Sequence, residues 1–296
     1  MGKNICSQQF TFKNFGFRCK EDEKNLFFRS QWGSDRTLFF LYRLFMTLYS
    51  FGWLLAYMIV RGIYNIGALQ RSYQYLTQWS NVMATIYFAL ACGLSIVGLV
   101  KNKRSNRTES GAIKFLRTLT WMIWTMSSLM ILIVVITYWA LLWKSESPEN
   151  RRDPFNFHRH LVVAIMIVID VFVAGFPIRL LHFVYGILIA CLYSVMTVIV
   201  HAAGVNSAIY GFLNWAENPG LTAGIAVAFS VLGPILLHCF IFGLYCLRLQ
   251  IYKCICPPDE RVKQNVRAIA YSHADEHNGA VDNPAFDRDR FQEKIV

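Results

Sequence analysis

The sequence predicts an all-α integral membrane protein, a bundle of six transmembrane helices with both termini in the cytosol. Three observations predict it. Of the 296 residues, 55% are hydrophobic and only 16% charged, whereas a soluble domain carries about a quarter charged residues. Six apolar runs are long enough, at roughly 20 residues each, to cross a bilayer. Lys and Arg concentrate in alternate stretches between those runs, as topology determinants do. That distribution gives the formal charge of +11 a topological explanation, so no nucleic-acid partner is expected.

Residues 1–37 are charged throughout and read as a cytosolic segment without a cleavable signal peptide. The start, MGKNICS, misses the myristoylation pattern because its hydroxyl residue, Ser7, comes one position late. The membrane domain spans 38–247, with helices expected at 38–60, 76–100, 119–143, 160–178, 182–203 and 221–247. The first run carries Arg43. The second opens on YLTQWS, with Thr77 at its threshold. The third has Trp139 and Trp143 near one end and Trp121 and Trp124 near the other, which with Trp79 fits an interfacial aromatic belt. Asp170 interrupts the fourth run, Pro177 closes it, and Arg179 occupies the turn that follows. The fifth ends at His201. Pro234 should kink the sixth, which is tolerable where neighbouring helices satisfy the freed carbonyl.

The tail, 248–296, is polar and without apolar periodicity, and is expected to be disordered. It opens on YKCICPP, a palmitoylation candidate at Cys254 and Cys256, and contains VDNPAFD, similar to a short adaptor-binding turn. Counted by segment, 22 of the 29 basic residues fall on one side of the membrane and six on the other, with Arg43 inside the first run. The positive-inside rule then puts both termini in the cytosol. Asn106 heads a glycosylation sequon, NRT, that this orientation leaves unused. Of the eight cysteines, four lie in apolar runs and four face a reducing compartment, so disulfides are not expected.

The polar residues inside the spans pose the chemical question. An ionisable side chain costs roughly 2.5–3.5 kcal/mol at a helix centre on insertion scales, so Asp170, the one acid in any run, should face the bundle with a partner or carry a proton. Along NFHRHLVVAIMIVID, at about 100° per residue, His160 lies roughly 80° from Asp170 and shares a stripe with Ala164 and Ala174. His158 points nearly opposite. Alternation of the spans brings Thr77, His160 and His201 to one depth near the outer face. A threonine hydroxyl is inert without an adjacent base. Together these residues read either as a nucleophile with its bases or as ordinary interfacial side chains. No phosphate loop, GxSxG elbow, HExxH or nucleotide fingerprint is present, and neither cofactor nor metal is expected.

The stretches SQWGSDRTLFFLYRLFMTLYSFGWLL, YQYLTQWSNV, DVFVAGFPIRLLHFVYGILIACLYSVMTVIVHAAG and IYGFLNWAENPG, in that order, resemble the rolling stone family from about Ser30 to Leu247. The resemblance implies a multi-pass membrane protein acting in membrane or cell fusion such as myoblast fusion. A more distant resemblance is to the androgen-induced and androgen-dependent membrane proteins, threonine hydrolases of fatty acid esters of hydroxy fatty acids. Their Phe/Tyr-Leu-Thr motif matches YLT and implies Thr77 as nucleophile. Their spacing of Asn, His and acid matches Asn156, His160 and Asp170, which implies His160 as base. His201 matches the first of their paired histidines, and Ala202 replaces the second. Leu161 and Val162 stand where they have threonines.

Fusion is thus the leading function, and intramembrane threonine hydrolysis of fatty-acyl esters the alternative. Thr77 and His160 would be its catalytic pair, with His201 and Asp170 in support. The cell surface is the expected location, an internal membrane the alternative. Membrane lipids, and other membrane proteins at fusion sites, are the expected partners. A small transporter using Asp170 as proton carrier is a third reading.

Overall fold

The computed structural model describes residues 9–33, 35–101, 109–205 and 208–256. The MGKNICS start, the Asn106 sequon and the tail beyond Cys256 lie outside the described residues. Within them, six helices are long and apolar enough to cross a membrane: α1 Arg36–Tyr64, α2 Leu76–Val100, α3 Gly111–Ser145, α4 Pro154–Val173, α5 Leu180–Ala202 and α6 Pro219–Ile255. A hairpin of β1 (Ala208–Tyr210) and β2 (Leu213–Asn214) joins α5 to α6.

Helix starts follow local chemistry. Asp35 caps α1 by accepting hydrogen bonds from the Thr37 and Leu38 amides, and Ser110 caps α3 through the Ile113 amide. Such caps satisfy donors that a helix's first turn leaves without acceptors. Asp153 accepts from the Phe155 amide while Pro154 occupies the first helical position. α4 therefore starts six residues earlier than its apolar run suggests. It also stops earlier, at Val173. The following strap is extended, and its carbonyls leave the helix pattern: Arg248 donates to the carbonyls of Val171, Ala174 and Phe176. α6 runs through Pro234 as one helix.

α3 is the hub. It packs against α2, α4, α5 and α6, while α1 lies outside on α2. The core gathers Tyr87 and Phe88 of α2, Trp121, Trp124 and Leu129 of α3, and Ile167 of α4. Trp121 and Trp124 are 1% and 0% exposed, which corrects their expected place in an interfacial belt. Their apolar area outweighed the gain of a wet indole N–H, and neither Nε1 has a partner among the described residues. Close approach is built in at Gly186 of α5, where a Cβ would stand 2.3 Å from Leu129 Cδ1 and 3.1 Å from Pro234 Cβ.

The segment before α1 folds back over one end of the bundle. Arg179, buried, donates to the carbonyls of Gly16 (2.8 Å) and Arg18 (2.5 Å) and pairs with Glu23 at 3.0 Å. Trp32 Nε1 donates to the Phe172 carbonyl at 2.7 Å, and Ser30 bridges Ala174. Gly175 is required here, since a Cβ would meet the Leu26 and Arg29 carbonyls at 2.9 and 3.0 Å. Arg179, Arg248 and Arg117, all counted toward the charge bias, are thus structural. Arg117 pairs with Glu109. Removing these three leaves 19 basic residues against six, so the asymmetry survives.

Candidate functional site

Thr77 is the second residue of α2. Its position is fixed by two tyrosine hydroxyls that serve as the helix cap: the Leu76 amide donates to Tyr193 of α5 and to Tyr210 of the hairpin, both at 3.1 Å. Tyr193 in turn donates to the Gln74 carbonyl at 2.9 Å. The Thr77 hydroxyl sits beside the Tyr210 phenol.

His160 belongs to a π-turn, His158–Val162, and faces a second π-turn, Tyr138–Leu142 of α3. Single π-turns inside α-helices are frequent at functional sites. The His160 ring stacks on Tyr138 with centroids 3.7 Å apart and planes 9° apart. Tyr138 is held by Asn156, whose amide nitrogen donates to its hydroxyl at 2.6 Å. Trp139 Nε1 donates to the His160 carbonyl at 3.0 Å. The imidazole is therefore oriented by packing and by the backbone on both sides. Its buried Nδ1 has no partner among the described residues, and it makes no hydrogen bond to Thr77, although both residues border the same cavities.

Two cavities meet at this point. One, of about 60 Å³, is walled by Ile133, Val134, Ala190, Tyr193, Ala226 and Phe229 and is mainly apolar. The other, of about 450 Å³, is a polar vestibule that includes Arg61, Arg71, Arg159, Glu146 and Asp153. Thr77, His160, Tyr210 and Leu142 line both. In the vestibule Asp153 holds Arg61 at 2.6 Å, and Arg159 lies over the Tyr57 ring at 4.4 Å.

The other expected residues go elsewhere. His158 borders a separate small cavity with Gln78 and Asn81, stacked on Trp53 at 4.6 Å. His201 stands at the end of α5 but is absent from the lining of either cavity that holds Thr77. Asp170, 0% exposed, lies deeper. Its carboxylate accepts hydrogen bonds from Arg43 and Tyr87 and, at 3.0 Å, from Tyr42. Arg43 also donates to Tyr87 at 3.0 Å. A carboxylate so enclosed is a cross-brace between α1, α2 and α4, and it offers no face to a transported proton.

Sequence reasoning missed Tyr210, Tyr138 and the partners of Asp170. Arg43 had a signal: it is the one cation inside the first run, as Asp170 is the one acid inside any. Tyr210 had none beyond its place in IYGFLNWAENPG. Among the described residues no group of three or more His, Cys, Asp or Glu could hold a metal ion.

Compared with known proteins, residues 3–256 match the family described as Protein rolling stone. The chain is 29% identical over 254 residues to Protein rolling stone of Drosophila melanogaster, an alignment covering 79% of this chain and 86% of the fly protein. No solved structure matches.

Proposed function

This chain belongs to the rolling stone family of multi-pass membrane proteins, and from that premise we propose that it binds a fatty-acyl ester within the membrane and hydrolyses it with Thr77 and His160. One observation carries the reading: the threonine and the histidine stand together where an apolar chamber meets a polar, arginine-bearing vestibule. An ester-linked amphiphile has that same division, with an acyl chain on one side of the ester and a polar or carboxylate-bearing alcohol on the other. Arg61, Arg71 and Arg159 suit the latter.

In the reaction the Thr77 hydroxyl attacks the ester carbonyl while His160 accepts its proton. The tetrahedral intermediate collapses, His160 returns the proton to the departing alcohol, and water then releases the acid from acyl-Thr77 by the same route. The hydroxyl and imidazole are not yet bonded, and such contacts often tighten only when substrate is present. Neither Asp170 nor His201 has a part in this scheme. With Arg117, Arg179 and Arg248 set aside, 19 basic residues against six favour termini in the cytosol. The site then opens toward the outer leaflet of a membrane that we take to be the cell surface.

The test is a fluorophosphonate probe, followed by turnover of a medium-chain acyl ester, on the purified protein. Thr77→Ala and His160→Ala should each lose several orders of magnitude in rate, because such pairs act as a unit. His158→Ala, in its separate cavity, should keep most of it. Absence of both labelling and turnover in the wild type removes the hydrolase reading.

Membrane or cell fusion, such as myoblast fusion, is the second reading. Family membership supports it, and the expected partners would be lipids and other membrane proteins at the fusion site. If fusion depends on partner contacts alone, Thr77→Ala that reaches the surface should fuse cells normally, and a fusion defect would tie the biology to the hydroxyl.

A further inference from the structure

We infer that the Tyr210 hydroxyl is the hydrogen-bond donor that stabilises the oxyanion formed when Thr77 attacks its substrate, so that the β1–β2 hairpin supplies a catalytic residue to the helical bundle. The inference rests on the hydrolase reading above.

The hydrogen-bond inventory at the start of α2 carries the argument. Two phenols meet there, and only Tyr193 has its proton on a backbone carbonyl. Tyr193 donates to the Gln74 carbonyl at 2.9 Å and accepts from the Leu76 amide. Tyr210 accepts from that same amide at 3.1 Å, its other partners are the Tyr193 and Thr77 hydroxyls, and its proton has no backbone acceptor among the described residues. A phenol offers one donor and two acceptor positions. Held by hydroxyls and by no carbonyl, the Tyr210 proton can turn about the C–O bond toward a substrate oxygen beside Thr77, at the junction of both cavities. His160, 7% exposed with Nδ1 unpartnered, borders the same junction. A base, a nucleophile and a donor to the carbonyl oxygen are the three groups that acyl transfer requires around one carbonyl.

The hydroxyl is held as catalysis requires. The Leu76 amide fixes the phenol oxygen, and the ring stacks on Phe212 at 5.3 Å and 6°. A donor fixed in advance needs no reorganisation as charge develops, which is where such groups gain their effect. The start of α2, a 25-residue helix, adds a positive dipole end at the same place. Burial pushes the Tyr210 phenol above its ordinary range, which favours the protonated, donating form. As Thr77 Oγ bonds to the carbonyl carbon, the π pair moves onto the carbonyl oxygen and Tyr210 O–H donates to it. The Tyr210 proton is not transferred. The proton lost by Thr77 goes to His160, and the pair returns when the alcohol leaves.

The experiment uses full-length protein in detergent with a 4-methylumbelliferyl medium-chain ester, comparing wild type with Tyr210→Phe. Removing one oxyanion donor typically costs about 10²–10³ in kcat, so a loss of that size is expected with KM within about threefold. A trifluoromethyl ketone of the same chain length, whose adduct carries the oxyanion, should lose inhibitory affinity in parallel. A merely structural tyrosine would lower folded yield without that parallel loss. A Tyr210→Phe protein with kcat and ketone affinity near wild type overturns the assignment while leaving the hydrolase reading intact. Should Tyr210→Phe fail to fold, the structure of wild type trapped by a fluorophosphonate at Thr77 decides. The phosphonyl oxygen within hydrogen-bonding distance of Tyr210 supports the inference, and a phosphonyl oxygen turned away from it overturns it. Wild type that neither labels nor turns over removes both.

Discussion

Replacing Asp170 with Asn should be among the most damaging single changes in this protein. The carboxylate is 0% exposed and Arg43 is 2% exposed, so neither charge can find water when its partner is lost. Asn keeps an acceptor oxygen for only one of Tyr42 and Tyr87, which donate to different carboxylate oxygens, and leaves the guanidinium without a counter-charge; breaking a buried pair from one side costs about 3–5 kcal/mol. Arg43→Met should cost as much from the other side, leaving Asp170 ionised among two phenols. The double variant removes both charges while the Asn oxygen still accepts from one of the two hydroxyls. It should therefore be more stable than either single variant, with a coupling energy of about 2 kcal/mol or more. Thermal unfolding of the purified protein in detergent reads this directly. At about 2–4 °C per kcal/mol, each single variant should unfold at least roughly 6 °C below wild type, with the double variant recovering at least half. Single variants within measurement error of wild type, or losses that simply add in the double variant, would refute the cross-brace. Proton-coupled uptake abolished by Asp170→Asn in protein of wild-type stability would restore the carrier role.

Further expectations follow from packing, reactivity and topology. Gly186→Ala should destabilise by about 1–3 kcal/mol through overpacking, since its Cβ would fall 2.3 Å from Leu129 Cδ1. Gly52→Ala, with nothing within 4 Å, should leave the unfolding temperature unchanged or slightly raised. Burial pushes the Cys19 thiol up to about 11, against the opposing pull of Arg117. At pH 8 that leaves roughly a hundredfold less thiolate than an ordinary cysteine has. A maleimide should therefore modify the exposed Cys254 well before Cys19, and equal rates in native protein would contradict the burial. Tags at either terminus should be reached by antibody only after cells are permeabilised, and Asn106 should carry no glycan. A glycan there would invert the orientation and move the Thr77 site to the cytosolic leaflet.

What was legible in the sequence was whatever one helix decides by itself. Apolar length located all six spans. α4 was misjudged at both ends because its limits depend on partners far along the chain. Asp153 and Pro154 start it inside what looks like loop, and Arg248, beyond the strap in α6, takes the carbonyls at its end. Trp121 and Trp124 were misread for a related reason. A large aromatic near the end of an apolar run looks the same whether it meets headgroups or the neighbouring helix. At the site, Thr77 and His160 could be brought to one depth by counting spans. Counting depth says nothing of position around the bundle, and so it could not separate His201 from them. Tyr210 sits in a two-strand hairpin too short to announce itself, and its importance arises from a hydrogen bond to an amide 134 positions away.

The two π-turns imply something about how such a site can arise and be lost. A π-turn is an α-helix that has accepted one surplus residue, and the surplus sets the helix after it out of phase with the helix before it, by about 100° of rotation and 1.5 Å of rise. α3 and α4 each carry one, and the two excesses face each other across the stacked rings of Tyr138 and His160. Deleting a single residue from either turn would let that helix close into a regular α-spiral. Asp170 and the packing beyond the turn would keep their places in the second phase, while His160 or Tyr138 would swing away from Thr77. Chemistry at this junction thus hangs on an insertion of one residue in each of two helices, a change that span prediction, composition and overall fold would all fail to register.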